Sequence, residues 1–235
     1  MAKTRRITTN VVEVALNYSR AFNDRPPLSA SEGLGWLTGT WAIGACYKNP
    51  NKLYGAYPRG YLERVHAMFP RARHVLHVFS GGLTEEQAIC AAWPEMRPNF
   101  DLVERRTGNR PTGMISGPGA PCMELVDVKG PEDGRYPTWQ GDVMAMPPEW
   151  AGRFDLIMAD PPYSDEDAAR YGVKMPRRNE VMQALRRVVS KGGNLVWLDQ
   201  VWPMHRKEQW RCWGQIGLVR STNHRVRLVS IFEAV

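Results

Sequence analysis

The spacing of apolar residues from Tyr61 onward alternates between helical and strand-like patterns. Residues 61–69 repeat apolar side chains every three or four positions, which predicts a helix. The run 74–79 (HVLHVF) is short and apolar, as in a buried strand, and a Ser-Gly-Gly turn and a helical pattern over 84–93 follow it. Strand, glycine turn and helix in this order are typical of the first unit of an α/β nucleotide-binding sheet.

The same alternation continues to the end of the chain. Strands are predicted at 123–128, 139–143, 154–159 and 195–198, and helices at 179–189, ending at Lys191-Gly192-Gly193, and at 204–213. Two final strands, 217–220 and 225–232, have no helix between them, which predicts an antiparallel hairpin. The sequence therefore predicts an α/β fold with a mostly parallel sheet of seven strands that ends in this hairpin.

Two segments lack a sustained pattern. The first fifty residues contain one predicted helix near 11–22, and a Gly- and Trp-rich stretch, GLGWLTGTWAIGACY, that matches no element. Residues 94–121 are rich in Pro, Gly and Arg, which predicts a long loop or insertion. The expected organisation is an N-terminal extension, residues 1–54, that binds a substrate or partner, and a domain of residues 55–235 that carries the insertion.

Composition is that of a globular protein: 43% of the 235 residues are hydrophobic and 23% are charged. The four cysteines are scattered without a C-x-x-C pair, so no metal site and no disulfide framework is expected. No run approaches the roughly 20 apolar residues of a membrane span, and the first residues lack an apolar signal core. These features predict a cytoplasmic protein with no membrane partner.

The chain is basic, with a net charge of +7 and clusters such as Arg105 to Arg110 and Lys174 to Arg178. A polyanionic partner explains such an excess, and so does a solvated basic surface. Charge alone leaves both interpretations open.

Four short motifs follow predicted strands in chain order: Phe79-Ser80-Gly81-Gly82, Asp127, Gly141-Asp142 and Asp160-Pro161-Pro162-Tyr163. The carboxyl ends of parallel strands form the edge where open α/β sheets bind ligands. Glycines there allow close approach of a ligand, and a carboxylate after the second strand can accept from ribose hydroxyls. Asp-Pro pairs are also ordinary turn formers, so the last motif alone is ambiguous. The ordered set favours a ligand site.

With these motifs in place, the chain resembles the class I S-adenosylmethionine-dependent methyltransferases, and among them the amino-methyltransferases of nucleic acids, whose signature is [DNS]-P-P-[YFW] after the fourth strand. The resemblance covers roughly residues 55–235 and implies a Rossmann-like methyltransferase fold with S-adenosyl-L-methionine as cofactor. The segment YPRGYLERVHAMFP is similar to the one that precedes the glycine motif in permuted members, so Tyr57 would border the methionine end. The implied cofactor-binding residues are Tyr57, Phe79, Ser80, Gly81, Gly82, Asp127, Asp142, Val143 and Asp160.

The chemistry of amine methylation explains the Asp-Pro-Pro-Tyr motif. An exocyclic base amine is a poor nucleophile, and the Asp160 carboxylate and the Pro161 carbonyl can both accept hydrogen bonds from it and orient it for attack on a sulfonium methyl. Pro161 and Pro162 fix φ, which holds the accepting carbonyl in place. The Tyr163 ring offers a stacking surface for a flipped-out base. The four residues of this motif are the predicted catalytic residues.

The first-position Asp fits adenine better than cytosine by resemblance, so the expected substrate is the adenine 6-amino group in DNA. Lys174, Arg177 and Arg178, and Arg105 and Arg106 in the insertion, are predicted to contact substrate phosphates. RNA adenine, the cytosine 4-amino group, a protein glutamine, and a non-catalytic binding subunit remain alternatives. A homo-oligomer or a partner subunit, in a prokaryotic, phage or mobile-element setting, is expected.

Two features depart from this family. Its glycine motif usually reads F-x-G-x-G, whereas Leu83 occupies the final glycine position here. The helix that normally joins the second and third strands is missing from the pattern. An alternative register makes 102–104 the second strand and Glu104 the ribose ligand; Asp127 is preferred because its strand is more apolar and lies closer to Asp142.

Overall fold

The computed structural model describes residues 8–43, 57–94, 122–130, 137–220 and 226–235. Its helices are α1 (Val11–Ala21), α2 (Tyr61–Met68), α3 (Glu85–Ala92), α4 (Asp165–Arg170) and α5 (Arg178–Val188). Its strands are β1 (Ser29–Ser31), β2 (Trp36–Ile43), β3 (His74–Val78), β4 (Cys122–Asp127), β5 (Trp139–Gln140), β6 (Phe154–Ala159), β7 (Val189–Asp199), β8 (Trp210–Arg220) and β9 (Val226–Ala234). The predicted insertion at 94–121 lies almost entirely outside these residues, with Arg105 and Arg106 and the alternative ligand Glu104.

All nine strands form one sheet in the order β1-β2-β8-β9-β7-β6-β3-β4-β5. From β5 to β8, every pair is parallel except the two that β9 makes with β7 and β8. This is a Rossmann-like α/β arrangement, and the predicted mostly parallel sheet with a final antiparallel hairpin is confirmed. The predicted strand number was wrong: the sheet has nine strands rather than seven.

The two additional strands come from the N-terminal residues. β2 pairs in parallel with β8, from Leu37 opposite Gly214 to Ile43 opposite Arg220, and β1 pairs with β2. β2 lies in the stretch GLGWLTGTWAIGACY, whose strand character is hidden by glycine and threonine. Gly39 packs closely against Leu28, because a Cβ would lie 2.5 Å from Leu28 Cδ2 and would force that side chain to shift. Residues 28–43 therefore add two strands, β1 and β2, to the edge of the sheet formed by β3 to β9.

The helix predicted at 204–213 was wrong. β8 begins at Trp210, and its pairing with β9 shifts register between Cys212 and Gly214. Trp210 and Trp213 are both buried, on opposite faces of the sheet as the alternation of strand side chains requires, and they lie three positions apart. A three-residue spacing of buried side chains imitates a helical pattern in the sequence.

The prediction that the helix ends at Lys191-Gly192-Gly193 was also wrong. α5 stops at Val188, and β7 starts at once and runs through these glycines to Asp199. Gly192 has φ 75°, and the pairing of β6 with β7 shifts register between Phe154 and Leu156. The glycines thus allow an irregular start of β7 and do not cap α5.

Side chains of β6 alternate between two hydrophobic layers. Leu156 and Met158 pack with α1, α2 and α3, whereas Ile157 and Ala159 pack with α5. Because successive strand residues point to opposite faces, Asp160 continues the alternation toward the α2 side. No helix among the described residues is long and apolar enough to cross a bilayer.

Candidate active site at the carboxyl edge of the sheet

The four predicted motifs lie along one edge of the sheet. β3, β4 and β6 are parallel, and β3 lies between the other two. Their carboxyl ends lead directly into Phe79, Val128 and Asp160, and β5 leads into Gly141 on the far side of β4. The structure therefore brings together four segments that are spread over residues 79–163 of the sequence.

The glycine turn after β3 has a constrained backbone. Phe79 has φ 60° and Gly81 φ 57°, so a non-glycine residue occupies the left-handed region at this turn. Such residues cost about 1–3 kcal/mol each and cluster at ligand-binding sites. The turn then leads into Thr84, which caps α3 through a capping box with Gln87.

Leu83, the departure from the usual glycine motif, is 7% exposed and packs in the hydrophobic layer of α2 and α3. Its amide donates to the Ser80 carbonyl at 3.0 Å and closes the turn. Leu83 therefore holds the turn against the core. A ligand could approach the turn most closely at the backbone of Gly81 and Gly82, which have no side chains.

Asp127 connects this turn to the end of β4. It is 8% exposed; its Oδ2 accepts from the Gly81 amide at 2.8 Å, and its Oδ1 accepts from the Lys129 amide at 2.9 Å. The structure thus places the predicted ribose ligand in hydrogen-bond contact with the glycine turn.

Asp142 lies on the surface after β5, where its Oδ1 accepts from the Met144 amide at 2.9 Å and caps a 3₁₀ turn that contains buried Val143. Gly141 is required before it, because a Cβ would collide with the Trp139 ring. Asp142 and Val143 therefore stand at the β5 end of the same edge as Asp127.

Asp160 is the acidic residue of the site whose pKa is shifted most toward neutral pH. The Tyr163 hydroxyl donates a hydrogen bond to its Oδ1. Burial raises the pKa of the Asp160 carboxyl from its usual 3.8 to about 6, with the charge of Asp199 adding to that effect; Arg227, the Tyr163 hydrogen bond and Arg220 act in the opposite direction. Asp160 is therefore ionised at neutral pH but titrates close to it.

Two tyrosines on the α2 side face Asp160. Tyr57 and Tyr61 stack with ring centroids 5.2 Å apart, and among the described residues neither buried hydroxyl has a hydrogen-bond partner. Burial and then the charge of Asp160 raise the pKa of both hydroxyls. His77 contacts Tyr57 edge-on at 5.8 Å, and burial lowers its pKa. Buried polar groups normally find partners, so this cluster is suited to a polar ligand.

Arg178 holds the Asp-Pro-Pro-Tyr segment from the other side of the sheet. Its Nε donates to Asp199 Oδ2 at 2.6 Å and its Nη2 to Asp199 Oδ1 at 3.2 Å, and Nη2 also approaches the Tyr163 carbonyl at 3.4 Å. Asp199 is fully buried. The guanidinium predicted to contact phosphate is thus engaged in an internal ion pair.

The other predicted phosphate ligands differ from Arg178. Lys174 is exposed, and Arg177 is exposed and pairs with Glu180 at 3.2 Å within the first turn of α5. Arg105 and Arg106 lie outside the described residues. The described residues contain no group of three or more His, Cys, Asp or Glu side chains that could hold a metal ion.

Sequence reasoning missed two arginines of this site. Arg227 of β9 is 9% exposed, and its guanidinium lies 4.2 Å from the centroid of the Tyr163 ring. Arg220 ends β8, and its charge also lowers the Asp160 pKa. The signal was an arginine at an inward position of the otherwise apolar segment VRLVSIF, since arginine is seldom buried without a partner.

No protein-family model matches the sequence, and no curated protein is significantly similar to it. Among solved structures, TrmN from Thermus thermophilus is similar at 12% identity and a TM-score of 0.45, over 74% of this chain and 48% of TrmN. N-methyltransferase NodS from Bradyrhizobium japonicum WM9 is 14% identical, with a TM-score of 0.44 over 74% and 92% of the two chains. The antibiotic-resistance methyltransferase Kmr is 17% identical, with a TM-score of 0.31 over 69% and 87%. This chain spans about half the length of TrmN.

Proposed function

We propose that the chain transfers a methyl group from S-adenosyl-L-methionine to the exocyclic 6-amino group of adenine in DNA. The observation that carries the proposal is the placement of Asp160, at the carboxyl edge of the sheet, beside a constrained glycine turn bonded to Asp127. A partly buried acceptor next to a nucleotide-type turn is what amine methylation requires.

The residues at this edge fit the cofactor. The backbone of Gly81 and Gly82 and the Asp127 carboxylate would hold its ribose, and Asp142 and Val143 its adenine. The Tyr57 and Tyr61 hydroxyls, buried without a described partner, would donate to its amino-acid end. When bound, S-adenosylmethionine supplies an electrophilic methyl group on a sulfonium.

Asp160 and Pro161 perform the positioning of the amine. The two N–H groups of the target amine donate to the Asp160 carboxylate and the Pro161 carbonyl, so that the nitrogen lone pair is directed away from them. As positive charge develops on nitrogen, the carboxylate stabilises it. With its pKa raised to about 6, the Asp160 carboxylate is also basic enough to take the proton that the methylated amine releases.

Tyr163 has two functions in this proposal. Its hydroxyl fixes the orientation of the Asp160 carboxylate. Arg227 covers one face of its ring, so a flipped base stacks on the opposite face. The excess of positive charge and the exposed Lys174 and Arg177 beside the motif favour a nucleic acid as the macromolecule that carries the base.

The base is tested by removing the amine from the substrate. Labelled methyl transfer is measured to duplex DNA in which every adenine is replaced by purine, which has no 6-amino group, and to the unmodified duplex. Loss of transfer with the purine duplex supports adenine. Undiminished transfer contradicts the adenine assignment and points to the cytosine 4-amino group.

Replacing Asp127 with Ala is expected to weaken S-adenosylmethionine binding by at least about tenfold, because it removes both the ribose acceptor and the bond that holds Gly81. Isothermal titration measures the dissociation constant. Asp155→Ala is the matched control: Asp155 also accepts from two backbone amides, Arg73 N and His74 N, but at the opposite edge of the sheet. Equal affinity in the wild type and Asp127→Ala would move the ribose role to Glu104 or another residue.

The rate of methyl transfer at saturating substrates is expected to fall about tenfold per pH unit below pH 6. Burial raises the Asp160 pKa to about 6, and protonation leaves the carboxyl with one acceptor fewer and no charge. The pH profile of kcat from pH 5 to 8 measures this decrease in rate. A flat profile across that range would show that the charge of Asp160 is not required.

A further inference from the structure

Arg227 and Arg220 lie at the same sheet edge as Asp160. β9 is antiparallel to its neighbours, so its first residues, Val226 and Arg227, lie at the carboxyl ends of the parallel strands. Arg220 is the last residue of β8, next to Ile43 of β2. The hairpin thus brings two guanidinium groups to the edge where the Asp-Pro-Pro-Tyr motif lies.

Among the residues that the structure describes, none accepts a hydrogen bond from the Nε of either arginine. The Nε atoms of Arg227 and Arg220 are buried without a hydrogen-bond partner among the described residues, and no described carboxylate lies within salt-bridge distance of either side chain. Arg227 is about nine-tenths buried. The charge of Asp160 acts on both guanidinium groups, but it gives their buried Nε donors no acceptor. A buried donor without an acceptor is unfavourable, and an anion at this edge would complete these hydrogen bonds.

The contact with Tyr163 does not satisfy the guanidinium of Arg227. The guanidinium carbon lies 4.2 Å from the ring centroid, and a ring face attracts a cation without offering an oxygen acceptor to its N–H donors. Asp160 already accepts from the Tyr163 hydroxyl. The buried Nε of Arg227 is therefore available to an oxyanion beside the ring.

We propose that Arg227 and Arg220 form a subsite for a phosphate group of the substrate, next to the amine that Asp160 holds. The planar donors of two guanidinium groups match the oxygens of a phosphate, which they bind bidentately. The identity of the group as a substrate phosphate rests on the proposed function; the anion subsite itself does not. The phosphate belongs either to the nucleic-acid backbone beside the target base or to a free nucleotide.

Binding without turnover tests the subsite directly. Adenosine 5′-monophosphate and adenosine are titrated into the full chain by calorimetry, for the wild type and for Arg227→Gln. The wild type is expected to bind the monophosphate at least about tenfold more tightly than adenosine, and Arg227→Gln to bind the two about equally. Since Gln removes a buried charge that has no acceptor, the variant is expected to fold; Arg220→Gln provides a second variant with the same expected change.

Arg211→Gln is the matched control, because Arg211 lies at the other end of β8 and also has a buried guanidinium nitrogen without a described partner. It is expected to keep the wild-type ratio of the two affinities. No preference for the monophosphate in the wild type, or a loss of S-adenosylmethionine binding in Arg227→Gln with the ratio unchanged, would overturn the proposal. The second result would assign the arginines to the cofactor carboxylate.

Two further ligands distinguish the source of the phosphate. A short adenine-containing DNA strand with phosphodiester linkages is compared with the same strand carrying neutral methylphosphonates. Tighter binding of the phosphodiester strand, lost in Arg227→Gln, assigns the subsite to the backbone; a preference seen only with the monophosphate assigns it to a free nucleotide. Absence of methyl transfer would refute the proposed function without changing either ratio.

Discussion

Asp160→Asn is expected to lower the rate of methyl transfer by about 10²–10³-fold or more, while binding of S-adenosylmethionine stays within a few-fold of the wild type. Asn has the same shape, and its amide oxygen can still accept from the Tyr163 hydroxyl. It lacks the charge that stabilises the developing ammonium, and it turns a donor toward the amine. Single-turnover kinetics with saturating cofactor measure the chemical step, and Asp155→Asn at the opposite edge is the control.

The same substitution is expected to increase stability at pH 8. Because the folded-state pKa of Asp160 is raised above its unfolded value, the folded chain binds this proton more tightly, and stability falls as pH rises from about 4 to about 6. Asn carries no charge, so at pH 8 the variant should exceed the wild type by about 1–3 kcal/mol, and the difference should shrink as pH falls toward 4. Urea unfolding at both pH values measures it. Unchanged methyl transfer would refute the catalytic role, and a less stable variant at pH 8 would refute the raised pKa.

Arg178→Met is expected to destabilise the fold by about 3–5 kcal/mol, because it leaves the fully buried Asp199 carboxylate without its bidentate partner. The adjacent Arg177→Met removes an exposed pair with Glu180 and should cost less than about 1 kcal/mol. Both free energies of unfolding come from urea titration at pH 7.

The double variant Arg178→Met, Asp199→Asn separates an ion-pair effect from lost packing. It removes the uncompensated charge and should recover part of the stability lost in Arg178→Met. Equal losses in Arg177→Met and Arg178→Met would show that the Asp199 pair contributes no more than a surface contact.

The sequence predicted the elements that are locally regular. β6 has the predicted bounds, 154–159, because its apolar run ends at two prolines that cannot continue a ladder. The motifs after β3, β4 and β6 meet because parallel strands end at a common edge, so chain order and strand type were sufficient to bring Gly81, Asp127 and Asp160 to that edge.

The missed features depend on pairing between distant strands. The bulge near Cys212 appears only when β8 is aligned with β9, and β2 is recognisable only once β8 offers it an edge. Arg178 looked like a surface residue because Asp199, its partner, is 21 positions away. Arg227 was missed because its contact with Tyr163, 64 positions away, appears only when the final strand is placed in the sheet.

The buried polar groups of this edge fit a site that is optimised for a ligand rather than for stability. Asp160, the Tyr57 hydroxyl and the Arg227 guanidinium each lose hydration without a full set of protein partners. Such groups weaken the fold by a few kcal/mol in sum, and proteins retain them mainly where a ligand completes their hydrogen bonds.

The most direct test of methyl transfer at this edge is a single-turnover reaction with labelled S-adenosyl-L-methionine. Unmethylated duplex DNA is the substrate, single-stranded DNA, total RNA and protein are run in parallel, and the nucleic acids are digested to nucleosides. We expect label in N6-methyldeoxyadenosine from DNA, and its loss with Asp160→Asn. Cofactor binding without transfer to any of the four would contradict catalysis, and transfer only to RNA or protein would contradict DNA as the substrate.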